Sequence, residues 1–129
     1  MNLPENLNPS YDSHQLYLAG DPKGVKLNWS GLNLSHIDLR LAVLEEADLS
    51  STNLRFADLR RADLGETELE NANLYGADLS GADLYRADLH NANLKNADLT
   101  EADLRNANLT RTKLSGVNLR DADLRGTFF

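Results

Sequence analysis

The segment Ala77-Asp78-Leu79-Ser80-Gly81-Ala82-Asp83-Leu84-Tyr85-Arg86-Ala87-Asp88-Leu89-His90-Asn91 decides the fold, because it holds three successive pentapeptides of one pattern. Working outward, Leu recurs every five residues from Leu34 to Leu124, with Trp29 opening the series and Phe129 closing it in phase. Between Leu27 and Gly126 lie 20 complete pentapeptides, and 19 have Leu at the centre. Two positions before the centre stands Ala in 13 of the 20, and the remainder are apolar or Thr. Directly before the centre stands Asp or Asn in 17 of 20, the exceptions being Val43, Glu68 and Lys113.

A period of five suits no ordinary element. On an α-helix, Leu spaced by five drifts around the axis and forms no stripe. On a flat strand, an odd period sends successive Leu to opposite faces. A chain that turns a corner in every repeat can point each Leu inward, with small Ala beside the corner and Asp, Asn and Gly in the turns. A 20-residue super-period, seen in Asn33, Asn53, Asn73 and Asn93, favours four sides over three.

The repeat A-(D/N)-L-x-x over residues 27–129 resembles the pentapeptide-repeat family, abundant in cyanobacteria. That resemblance implies an all-β, right-handed quadrilateral β-helix, a solenoid of about five coils of four pentapeptides. Residues 1–26 are expected to form a separate N-terminal cap, with a short helix around 12–19 begun by Ser10 or Asp12 and stopped by Gly20 and Pro22. Leu16, Tyr17, Leu18 and Trp29 are the expected seal of the first coil. At the other end, Phe128 and Phe129 are expected either to plug the last coil or to be buried in an end-to-end homodimer through it. A monomer is the reading taken.

Composition narrows the function classes. The formal charge of −7 disfavours direct binding to nucleic acid or an anionic membrane. The chain has no cysteine, so disulfides, thiolate metal sites and Cys nucleophiles are excluded. No apolar run reaches membrane-span or signal-peptide length, so a cytoplasmic location is expected. His14, His36 and His90 lack metal-ligand spacing, no catalytic constellation stands out, and no cofactor, metal or enzyme activity is expected.

The surface reading is more specific. The Asn33–Asn93 column should form an amide ladder ended by Lys113. Asp columns such as Asp38, Asp58, Asp78 and Asp98 need relief from like-charge repulsion, which Arg40, Arg60, Arg105, Arg120 and Arg125 are spaced to give. Arg55, Tyr75 and Lys95 share a column suited to cation–π contact. Thr52, Thr67 and Thr112 point inward and should bond to backbone. Leu41, Val43 and Phe56 break the polar outside pattern. With Tyr75, Phe128 and Phe129 they form the candidate partner or dimer surface.

The function expected is a non-enzymatic protein–protein interaction or scaffold module with an unknown protein partner. The alternative implied by the resemblance is a DNA-mimicking acidic rod that binds DNA gyrase or topoisomerase. Duplex DNA carries about one charge per ~1.7 Å, far denser than the net charge of these repeats, which disfavours that alternative.

Overall fold

The computed structural model describes residues 1–129. From residue 27 onward the chain is a β-solenoid. Its pairing consists of 17 isolated parallel bridges, and every one joins residues 20 apart, such as Asp63 to Asp83 and Asp83 to Asp103. Four pentapeptides therefore separate each residue from the one stacked on it. No strand extends beyond a single bridged residue. The side of each coil is too short for more, because a turn intervenes in every repeat. The all-β expectation thus holds only in this narrow form, and it is accompanied by one helix.

One repeat shows the wiring. The Leu64 N–H donates to Asp83 O at 2.8 Å and the Asp83 N–H donates back to Ala62 O at 3.0 Å. The Glu66 N–H reaches Tyr85 O at 2.8 Å, and the Thr67 N–H closes the corner on Leu64 O at 3.2 Å. The third residue of each such turn has a left-handed backbone, from Gly31 through His36, Leu41 and Phe56 to Gly126. Turns with a left-handed third residue favour Gly or Asn. Here most corners carry other residues, each bearing about 1–2 kcal/mol of steric cost that cooperative stacking must offset.

Inward-facing side chains fill the axis. The central Leu from Leu39 to Leu104 are all 0% exposed. Ala occupies the tight position beside them. Where Thr replaces it, the hydroxyl finds backbone, as expected: Thr52 Oγ1 donates to Leu49 O at 2.6 Å, and Thr67 and Thr112 donate to Leu44 O and Leu89 O at 3.0 Å. In the last coil Leu114, Leu119 and Leu124 are only partly buried, since no coil lies above them.

Helix α1 (Asn8–Leu18) covers the other end. It begins earlier than the sequence reading placed it because Pro9 supplies a preset φ in its first turn. Leu7 is the N-cap and no side chain caps the helix. Ser10 instead donates to Leu7 O at 2.9 Å and accepts the Trp29 indole N–H at 2.8 Å. The helix ends in a Schellman motif on Gly20 (φ 76), with Gly20 N–H to Tyr17 O at 2.9 Å and Asp21 N–H to Leu16 O at 3.0 Å.

The seal differs from the expected one. Leu16 faces solvent, whereas Leu3, Leu7 and His14 are buried with Trp29. The helix also supplies polar partners to the raw edge of the first coil. Tyr11 Oη accepts the Val43 N–H at 3.0 Å, Gln15 Nε2 donates to Val43 O at 3.0 Å, and His14 Nδ1 accepts the Leu27 N–H at 3.1 Å.

Candidate functional site

The outer surface divides into side chains that hold the turns and side chains left free for contact. Each of the 17 Asp and Asn residues before a centre accepts, through Oδ1, the backbone N–H two residues on; Tyr85 N–H to Asp83 Oδ1 at 2.8 Å is one instance. These are Asx turns, and they explain the preference for Asp and Asn at this position. Val43, Glu68 and Lys113 cannot make the bond, which needs an acceptor one carbon from Cβ.

The carboxylate columns are trimmed, as their spacing suggested, by Arg40, Arg60, Arg105 and Arg125, whereas Arg120 lies 3.6 Å from Asp121, outside the columns. Arg60 forks onto Asp58 at 2.8 and 2.6 Å and lies 3.8 Å from Asp78; Arg105 binds Asp103 at 2.6 Å and lies 3.8 Å from Asp123. Bonds from the Arg60 and Arg105 side chains hold the Asp58 and Asp103 carboxyls below their ordinary range, and Arg125 brings Asp123 to about 2. The Asn column is laddered in part: Asn53 donates to Asn33 at 3.0 Å and Asn93 to Asn73 at 3.2 Å, while Asn53 and Asn73 are not bonded through their amides.

The proposed surface residues do not form one patch. Val43 is bonded through its backbone to Tyr11 and Gln15 of helix α1 and stays 37% exposed, while Leu41 is 68% exposed. Leu41 lines an open groove of about 540 Å³ with Met1, Arg40, Arg60, Arg61 and Ser80. Phe128 and Phe129 are 60% and 65% exposed, so the rings do not plug the last coil. Phe128 stands in the outward-facing position before a centre, where it bridges to Asn108. Phe129 reaches a central position with no coil stacked above it.

Phe56 and Tyr75 do come together. The Phe56 ring stacks on His36 at 5.2 Å and meets Tyr75 edge-on at 5.6 Å. The Arg55 guanidinium lies 5.3 Å from the Tyr75 ring centre and 5.6 Å from that of Phe56. Gly76 makes room for this: a Cβ there would stand 2.6 Å from the Phe56 ring.

This cluster belongs to the stack of repeats centred on Leu34, Leu54, Leu74, Leu94 and Leu114, and that stack contains no Asp or Glu. Its cations are Arg55, Lys95 and Lys113, and none makes a salt bridge. Two repeats further round, the stack containing Leu44 and Leu124 carries seven carboxylates against three Arg. There burial and the neighbouring Asp63 and Glu46 push the Glu45 carboxyl up. The sequence reading followed single columns and missed this segregation, although charge summed over every fourth pentapeptide displays it.

The family model for pentapeptide repeats matches residues 28–65, 52–91 and 87–126, with 8 copies. The chain belongs to the pentapeptide-repeat family. Among solved structures it is similar to the pentapeptide repeat protein Rfr23 from the cyanobacterium Cyanothece 51142, at 34% identity and a TM-score of 0.78 over 79% of this chain and 83% of that one. It is also similar to a pentapeptide repeat protein of the Arabidopsis thaliana thylakoid lumen, at 30% identity and a TM-score of 0.48 over 76% of this chain and 65% of that one. A third similar structure is QnrB1, a plasmid-mediated fluoroquinolone resistance protein, at 15% identity and a TM-score of 0.41 over 79% and 72% of the two chains. No curated protein matches the chain at a significant level. No helix is long and apolar enough to cross a membrane, and no three His, Asp or Glu side chains are grouped to hold a metal ion.

Proposed function

We propose that this pentapeptide-repeat protein is a non-enzymatic interaction or scaffold module that acts as a cytoplasmic monomer on a protein partner. In this reading its repeats form a right-handed quadrilateral β-helix of about five coils. One observation carries the reading: each of the 17 Asp and Asn residues before a centre accepts from the backbone of its own turn, as Asp83 does from Tyr85. The recurrent polar groups are thereby committed to structure. Variation is greatest at the two corner residues of each repeat, which suits a surface built to display contacts rather than to perform chemistry.

The gyrase-binding acidic rod has weaker support, because one of the four stacks carries no carboxylate at all. Two experiments separate the readings. Chemical crosslinking of the full chain in extract of the source cell should capture a saturable protein partner; its failure to do so counts against the interaction role. A supercoiling assay with purified gyrase should show no inhibition at micromolar chain, and inhibition there would favour the acidic-rod reading.

A further inference from the structure

The acid-free stack is the surface whose chemistry selects a partner. We propose that it docks an acidic polypeptide segment carrying one apolar anchor side chain, an inference that rests on the interaction role above and specifies its face.

Three features converge on one side of the solenoid. Arg55, Lys95 and Lys113 are exposed and free of ion pairs, while the backdrop of Asn33, Asn53, Asn73 and Asn93 adds no charge. The net charge of the chain is −7, so a surface of three uncompensated cations is a local reversal of sign. Second, Phe56 is 44% exposed and held at φ 56, a backbone region that disfavours bulky residues. Its ring is fixed by His36, Tyr75 and Arg55 and presents an ordered aromatic edge. Third, at the N-terminal end of the same stack an open groove of about 320 Å³ has an apolar floor of Leu7, Leu32 and Ile37 and a polar rim of Asn6, Asn33 and Ser35. It is large enough for one aliphatic or aromatic side chain.

From this groove to Lys113 is four stacking steps, roughly 19 Å at ~4.8 Å each, the reach of about six extended residues. A segment anchored in the groove would thus lay its carboxylates past Arg55 and Lys95. Charge complementarity selects an acidic occupant. A nucleic acid strand would be repelled by the acidic remainder of the molecule, and the stacked Phe56 ring offers it an edge rather than a free face.

The probe is a short labelled Asp/Glu peptide with one terminal Leu, titrated into the full chain by fluorescence anisotropy. Saturable binding that weakens between low salt and about 0.3 M salt is expected. Arg55→Glu/Lys95→Glu should weaken it at least about tenfold, while Arg86→Glu, on the opposite face, should change it less than about twofold. If the double reversal lowers the melting temperature, Arg55→Gln/Lys95→Gln gives the same test with a smaller loss. Phe56→Gly, whose backbone suits the left-handed corner, should weaken binding with the fold intact.

No saturable binding, an equal loss in Arg86→Glu, tighter binding of a single-stranded oligonucleotide than of the peptide, or self-association through this face would each overturn the proposal. A crosslinked cellular partner bound equally well by the double-reversal variant would refute this face yet leave the interaction role standing; absence of any partner would remove the role itself.

Discussion

At the scale of the residue, position before the centre matters more than charge. Asp and Asn are interchangeable there because either Oδ1 reaches the N–H two residues on, at 3.0 Å from Ser80 to Asp78 and 3.1 Å from Thr110 to Asn108. Lys113 breaks the rule and also ends the Asn column. Lys113→Asn restores a turn acceptor for Ser115 and an amide above Asn93. It should therefore raise stability by about 1 kcal/mol in urea unfolding. No change or a loss would mean that these turns are held by stacking alone.

Helix α1 docks at the scale of the element through two tight features. Gly24 packs against helix backbone, where an added Cβ would stand 2.0 Å from the Tyr17 nitrogen. Gly24→Ala should cost on the order of 1–3 kcal/mol, as overpacking does, and should make residues 1–26 the first site of limited proteolysis. The second feature is His14. Its Nδ1 accepts from Leu27, so the neutral ring carries its proton on Nε2, which is buried without a partner.

Burial lowers the His14 pKa below 6.5, although the Glu45 carbonyl and the Glu46 carboxylate favour the charged ring; Lys26 opposes it. A depressed imidazole pKa means that the unfolded chain binds the proton more readily. This contribution to stability is therefore full above about pH 6.5 and is lost as pH falls from there toward the folded pKa. Thermal unfolding should show this decline in the wild type. In His14→Asn, which keeps an acceptor for Leu27 without titrating, the decline should be absent.

The solenoid as a whole is uneven along its axis and around it. Along the axis, coils in the middle are paired on both sides, and the last coil on one. Leu64 and Leu84 N–H groups have acceptors in the following coil, at 2.8 and 2.7 Å, whereas those of Leu114, Leu119 and Leu124 have no backbone acceptor. Hydrogen exchange should therefore be fastest at those last three amides and slowest at Leu64 and Leu84, since opening starts where pairing is single. Uniform exchange would contradict nearest-neighbour stability in this solenoid. Around the axis, the Leu34 stack carries cations without a single carboxylate, while carboxylates outnumber cations seven to three on the stack two repeats away.

A Leu every five residues, small neighbours and Asx before 17 of the 20 centres were enough to determine the solenoid and its inward-facing list. Each repeat is a local unit whose turn chemistry is written within five residues. The seal around Trp29 and the burial of His14 were illegible, because they depend on where an irregular segment lands on the first coil; Leu16 was the wrong candidate for that reason. The same holds for Val43: two residues from Leu41, it has its backbone N–H and C=O taken up by Tyr11 and Gln15 of the helix. The acid-free face lay between these cases: the 20-residue super-period already aligned Arg55, Lys95 and Lys113, but only the structure showed that none of the three has an ion-pair partner, because charge acts through space and not along the chain.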